Sequence, residues 1–235
     1  MDKLNVMTES WDCLIILDAC RYDYFEQAYS KYLQGRLEKR ISPGSSTNEW
    51  RDKSFPGFYD DVVYITANPQ ISATSKAYGF CAGEHFHAVH EVWKDGWDCG
   101  TVRPETVTSD ALDIIAKTPG KRAIIHYIQP HAPYLSLGDD ARGYANADIN
   151  TPRTLVGVDS EAVGLIKKGL FGCLMGLFKW NRLLGNHPDW VLRKLLSIPP
   201  RAPMEIVLRN YTVDELREAY RANLDLVLEQ AAILV

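Results

Sequence analysis

An α/β fold with a mostly parallel sheet is the prediction for these 235 residues, and three observations make it. First, "DCLIILDA" (12–19) and "KRAIIHYIQ" (121–129) are short apolar runs without the alternation of a half-solvated strand, the pattern of strands buried on both faces. Second, stretches with helical spacing alternate with such runs, and that alternation implies parallel strands joined by helical crossovers covering both faces of a sheet. Third, 46% hydrophobic content over this length is enough for one sizeable core, so residues 1–235 are expected to form a single domain.

The elements follow in order. "MDKLNVMTES" lacks the charged-then-apolar order of a signal peptide. The run at 12–19 is the first strand, expected near the centre of the sheet and ending in Asp18. "YDYFEQAYSKYL" (22–33) has aromatics at helical spacing, and "RLEKRIS" (36–42) is a second strand candidate. "SPGSSTNEW" (42–50) packs four hydroxyls and a glycine ahead of a helix-like segment, where a Ser or Thr would cap the first turn. "DVVYITA" (61–67) is another strand, and His85, His87 and His90 fall in a loop-like stretch. "PETVTSDALDIIAKTPG" (104–120) carries Pro in its first turn and a Pro-Gly stop. The strand at 121–129 then runs into the loop "PHAPY". Residues 138–157 are rich in Gly, Asp and Asn and predict a long loop, and 158–198 predict a helical insertion. Its most apolar window, "GLFGCLMGLFKW" (169–180), is far short of the roughly 20 residues that span a bilayer. "TVDELREAYRANLDLVLEQAAILV" opens with a capping box, Thr212 to Glu215, and continues as an amphipathic helix.

Composition narrows the function. A net charge of −4 shows none of the basic excess of a nucleic-acid surface, while local Arg and Lys leave small anionic substrates open. Five cysteines without a C-x-x-C pair suggest neither a disulfide framework nor a thiolate zinc site, so a reducing cytoplasm is the expected compartment.

In parallel α/β sheets ligands gather at the carboxyl ends of the strands, where loops converge and helix N-termini turn unpaired N–H groups toward anions. Asp18, the Ser45-Ser46-Thr47 group and His131 all follow strand patterns. Each has a plain reading as a helix cap or turn residue. Together a carboxylate, a hydroxyl before a helix and a histidine are the parts of a metal-assisted ester-transfer site.

"IILDACRYDYF" sets Asp18, Arg21 and Asp23 in a D-x-x-R-x-D spacing at a strand end, "GSSTNEW" opens a helix with hydroxyls, "HYIQPHAPY" carries a P-H-x-P-Y loop, and "YRANLDLVLEQ" is a late helix. In order and spacing these four resemble the alkaline phosphatase superfamily, in particular its sulfatase-like branch. The resemblance implies a three-layer α/β sandwich and a hydrolase or phosphotransferase acting on small anionic phosphate or sulfate esters. It implies Asp18 as a metal ligand and Ser46 as the metal-bound nucleophile, with Thr47 the competing assignment. His131 would contact the substrate or the leaving-group oxygen, and Arg21 would bind or pair beside it. The metal would be zinc, manganese, magnesium or calcium.

Two departures qualify the resemblance. Ser46-Thr47-Asn48-Glu49-Trp50 lacks the Pro and Arg of the formylglycine motif, which points to plain hydroxyl chemistry. No "DHG" segment occurs, although the superfamily draws its remaining metal ligands from one downstream of the late helix. The resemblance therefore implies a shortened form that holds metal weakly and turns over little ester, with an apolar surface near the carboxyl end favouring a homo-oligomer. The competing expectation is a non-catalytic binding module with the same fold and an incomplete metal site.

Overall fold

The computed structural model of the chain describes residues 4–98, 100–151, 153–156 and 194–235. Four parallel strands form the sheet: β1 (Cys13–Leu17), β2 (Tyr59–Thr66), β3 (Phe86–Glu91) and β6 (Arg122–Tyr127), in the order β1-β6-β2-β3. Two two-residue strands, β4 (Trp97–Asp98) and β5 (Thr101–Val102), pair antiparallel beside it. The helices are α1 (Tyr22–Ala28), α2 (Thr47–Ser54), the single turn α3 (Trp93–Gly96), α4 (Pro104–Lys117), α5 (Pro203–Asn210) and α6 (Val213–Ala231).

Each face of the sheet has its own core, because side chains alternate across a strand. Val63, Ile65, Ala123, Ile125 and Tyr127 pack against Val107 and Ala111 of α4 and against Leu224, Val227 and Leu228 of α6. The opposite positions, Val62, Tyr64 and Ile124, pack against Phe55, Ile71, Phe80 and Phe86, with Trp50 of α2 at the edge of the cluster. α4 and α6 cover one face, while α2 with the segments around Phe55, Ile71 and Phe80 covers the other, an arrangement compatible with the predicted layering. The punctuation of α4 and α6 is also as read: Pro104 stands at the first helical position, and Thr212 and Glu215 close a reciprocal capping box.

Four expectations need correction or fall outside view. β1 lies at the edge of the sheet among the described residues, since it pairs with β6 alone. Its continuous apolar run reflects packing on both faces, Ile15 and Leu17 on one core and Leu14 and Ile16 on the other, and not a central position. "RLEKRIS" forms no strand beyond a bridge at Ile41, and Arg36 and Arg40 both pair with Glu38 there. The stretch holding His87 and His90 is β3, hydrogen-bonded to β2 with His90 opposite Ile65. Most of the expected helical insertion at 158–198, including "GLFGCLMGLFKW", lies outside the described residues. No helix among the described residues is long and apolar enough to cross a membrane.

Candidate active site

Asp18 ends β1 in a tight turn. Its backbone N–H donates to Tyr127, and Cys20 N–H reaches back to the carbonyl of Leu17. The turn forces Ala19 to φ 55, the left-handed region that costs a residue with a Cβ about 1 kcal/mol or more. α6 holds this conformation in place. The Tyr220 hydroxyl accepts from Arg21 N–H at 2.8 Å and donates to the Ala19 carbonyl at 3.0 Å, and burial keeps the phenol protonated for that second bond. Asn68, buried at the end of β2, donates to Asp18 Oδ2 at 2.9 Å and fixes the carboxylate. Oδ1 carries no protein hydrogen bond among the described residues.

The hydroxyl stretch turns into α2 at close quarters. A Cβ on Gly44 would stand 2.2 Å from Trp50 N and 2.6 Å from the Glu49 carbonyl carbon, so only glycine lets the turn lie against the helix. Ser46 is the N-cap, its hydroxyl accepting from Glu49 N–H at 3.4 Å. Glu49 reaches back to Ser45 N–H at 2.8 Å and Ser45 Oγ at 3.0 Å. The neighbouring Lys53 ammonium and these bonds hold the Glu49 carboxyl down at about 2. Thr47 occupies the first helical position, half-buried, and its hydroxyl has no partner among the described residues. Ser46→Ala is expected to lower stability by about 1 kcal/mol through the lost cap, read as a shifted denaturant midpoint.

His131 sits in the loop after β6, exposed, with Nδ1 2.5 Å from the Ala132 carbonyl. Both X–Pro bonds of the loop, Gln129–Pro130 and Ala132–Pro133, are cis. The loop is tied twice. His131 N–H donates to the Asp18 carbonyl at 3.2 Å, joining it to the first turn. From α6, the buried Asn223 amide donates to the carbonyls of His131 and Pro133 and accepts from Leu135 N–H.

These pieces enclose two cavities that share Asp18 and Thr47 as walls. The larger, about 300 Å³, adds His131, Asn68, Trp97, Tyr144 and Arg153. The smaller, about 230 Å³, adds Ser46, Ser45, Cys20, Trp50 and His126. The sequence-predicted Asp18, Ser46, Thr47 and His131 thus converge at the carboxyl ends of β1, β2 and β6. Arg21 does not join them: it lines neither cavity and pairs with Asp23 on the surface, 2.7 Å between Nη2 and Oδ2. Comparison with protein-family models, with curated proteins and with solved structures returns no match. The site is therefore read from its own geometry.

That geometry includes residues that the sequence motifs do not mark. Arg153 lines the larger cavity with its guanidinium 4.9 Å over the Tyr144 ring and no carboxylate partner among the described residues. His126, on β6, is buried beside Trp50 and Tyr64 and lines the smaller cavity. A histidine inside an apolar strand run is the one signal available beforehand, since a buried imidazole must find a partner. Cys20 also lines the smaller cavity, yet burial pushes its thiol up to about 12, so it holds no thiolate to compete as nucleophile.

The oxygens that could serve a divalent cation here are Asp18 Oδ1 and the Thr47 hydroxyl, whose residues line both cavities. Among the described residues no three His, Cys, Asp or Glu side chains cluster closely enough to hold a metal by themselves. One carboxylate with the remaining positions filled by water and substrate oxygens suits a magnesium-type ion, which rarely takes an all-protein cage. The donor set fits such an ion in kind, held mainly through the substrate.

Proposed function

We propose that the site transfers the phosphate or sulfate group of a small anionic ester to the hydroxyl of Thr47. One observation carries this reading: Asp18 and the Thr47 hydroxyl, which has no partner among the described residues, wall both cavities at a helix N-terminus, with His131 and Arg153 across the larger one. The motif resemblance to the sulfatase-like branch supports the same chemistry. Thr47 replaces Ser46 as the favoured nucleophile because Ser46 is engaged as the cap and is the more exposed of the two.

In this mechanism Thr47 Oγ1 gives up its proton to solvent and bonds to phosphorus or sulfur while the bond to the leaving alcohol oxygen breaks. A divalent cation at Asp18 would lower the proton affinity of the hydroxyl and offset the negative charge. The N–H groups at the start of α2 face the transferred group, and its negative charge is favoured there by the helix dipole. His131, whose Nδ1–H donates to the Ala132 carbonyl, would protonate the leaving oxygen from Nε2 when the ring is the imidazolium, and is left neutral by the transfer. Arg153 binds the anionic ester from the far wall. Water, or a second alcohol, then releases the group from Thr47.

The absence of a three-residue metal cluster among the described residues favours one second reading, a module that binds anionic esters without turning them over. Chromogenic phosphate and sulfate esters assayed with magnesium, manganese or zinc separate the two. Metal-dependent release of the chromophore is the expected result. Saturable binding of inorganic phosphate with no release under any metal would establish the binding module instead.

A further inference from the structure

His126 is 1% exposed and makes one side-chain hydrogen bond, Nδ1 to the Tyr64 hydroxyl at 3.0 Å. Tyr64 is fully buried and has no other side-chain hydrogen-bond partner among the described residues. Burial pushes the phenol's pKa up and the imidazole's down, so both groups are neutral and one proton each must be placed. If Nδ1 carried the ring proton and donated to Tyr64, the Tyr64 O–H would be a buried donor with nothing to receive it, a costly arrangement. Donation from Tyr64 to Nδ1 satisfies the phenol and puts the ring proton on Nε2. That nitrogen has no protein partner among the described residues, and the ring lines the smaller cavity with Asp18, Ser46 and Thr47. Asp18 lies close enough for its charge to act on both Tyr64 and His126.

From this geometry we infer that His126 is a catalytic residue whose Nε2–H donates a hydrogen bond to a non-bridging oxygen of the phosphate or sulfate group at Thr47. The inference rests on the reading of Thr47 as the acceptor of that group. A neutral donor suits the position, because the strand fixes its direction and it adds no second proton to compete for the Thr47 oxygen. The donor needs no reorganisation as negative charge builds on the transferred group, the condition under which such a contact favours the transition state over the ground state. Tyr64 is a positioning residue in this scheme: its proton selects the tautomer.

Long-range proton–nitrogen correlation spectra of the full chain, with histidine nitrogens labelled, test the assignment directly. The expected result is an Nε2–H tautomer for His126 and a shift of Nε2 on titration with inorganic phosphate or sulfate. His126→Leu is expected to weaken phosphate binding by at least about tenfold, the range for a hydrogen bond to a charged group. His126→Gln, whose amide N–H stands near the place of Nε2–H, should recover most of it. An Nδ1–H tautomer, or an Nε2 that phosphate leaves unmoved, overturns the inference. So does an Nε2 that shifts as a metal-bound imidazole on addition of zinc, which makes His126 a ligand and not a donor. Should His126→Leu fail to fold, the spectra of the unaltered chain decide alone. A chain whose His126 responds to phosphate while no ester is turned over sinks the transfer reading and keeps His126 as an anion donor. Turnover with an unresponsive His126 does the reverse.

Discussion

Thr47→Ala is expected to lower ester turnover by at least about 10³-fold while moving the melting temperature by no more than a few degrees. Loss of a nucleophile removes the covalent route altogether, and effects of this size or larger accompany such losses in enzymes that rely on one. The fold should tolerate the change, because the Thr47 hydroxyl makes no protein hydrogen bond among the described residues and alanine is a better helix former than threonine. Steady-state kinetics on a chromogenic ester, with thermal unfolding run beside them, read both halves. If Thr47→Ala keeps full turnover and Ser46→Ala abolishes it, the nucleophile is Ser46.

Gly44→Ala should be strongly damaging to the candidate site. The added carbon would sit 2.2 Å from Trp50 N and 2.6 Å from Trp50 Cα, all of it backbone that cannot rotate away. Either the Ser45–Thr47 segment lifts off the helix or α2 moves, and Trp50 packs edge-on against Phe55 at 5.3 Å, so the second route disturbs the core. Overpacking of this kind costs about 1–3 kcal/mol. The expected result is a denaturant midpoint lowered to match, together with turnover reduced at least tenfold, because the displaced segment carries Thr47. Gly57→Ala is the control: its Cβ would meet only the Tyr59 hydroxyl at 3.6 Å and its ring at 3.7 Å, ordinary contacts, and its stability should change by less than about 0.5 kcal/mol. Equal losses in the two variants would show that the Gly44 contact is not what places the loop.

Local signals in the sequence located most of the fold and mark part of the candidate site. β2, β6, α4 and α6 announce themselves through apolar runs and caps, since short-range patterning and hydrogen bonding decide them. β3 is masked because its histidines and half-exposed positions break the apolar pattern of a buried strand. The edge position of β1 is invisible for a different reason: a strand packed on both faces reads the same whether or not it has two neighbours. Asp18, Ser46, Thr47 and His131 were legible because each stands at the end of an element. Asn68, Tyr220 and Asn223 were not, since nothing near them in sequence shows that they reach Asp18, Ala19 or His131. Arg153 lies in a loop whose composition says only that it is a loop. His126 was hidden by its neighbours, an apolar strand in which one imidazole passes as filler.

The grip of α6 on the two loops fixes when the site can come into being during synthesis. Tyr220 holds Ala19 and Arg21 across 201 and 199 residues of chain, and Asn223 holds His131 across 92. At translation rates of about 5–20 residues per second, roughly 10–40 seconds separate the making of Asp18 from the making of Tyr220. Throughout that interval the residues of β1 and its turn stand without the hydroxyl that secures Ala19 at its left-handed φ, and the His131 loop, once made, lacks the Asn223 amide that ties it down. The nascent chain therefore carries every residue of the proposed chemistry long before it can perform it, and the ribosome meets an inert protein.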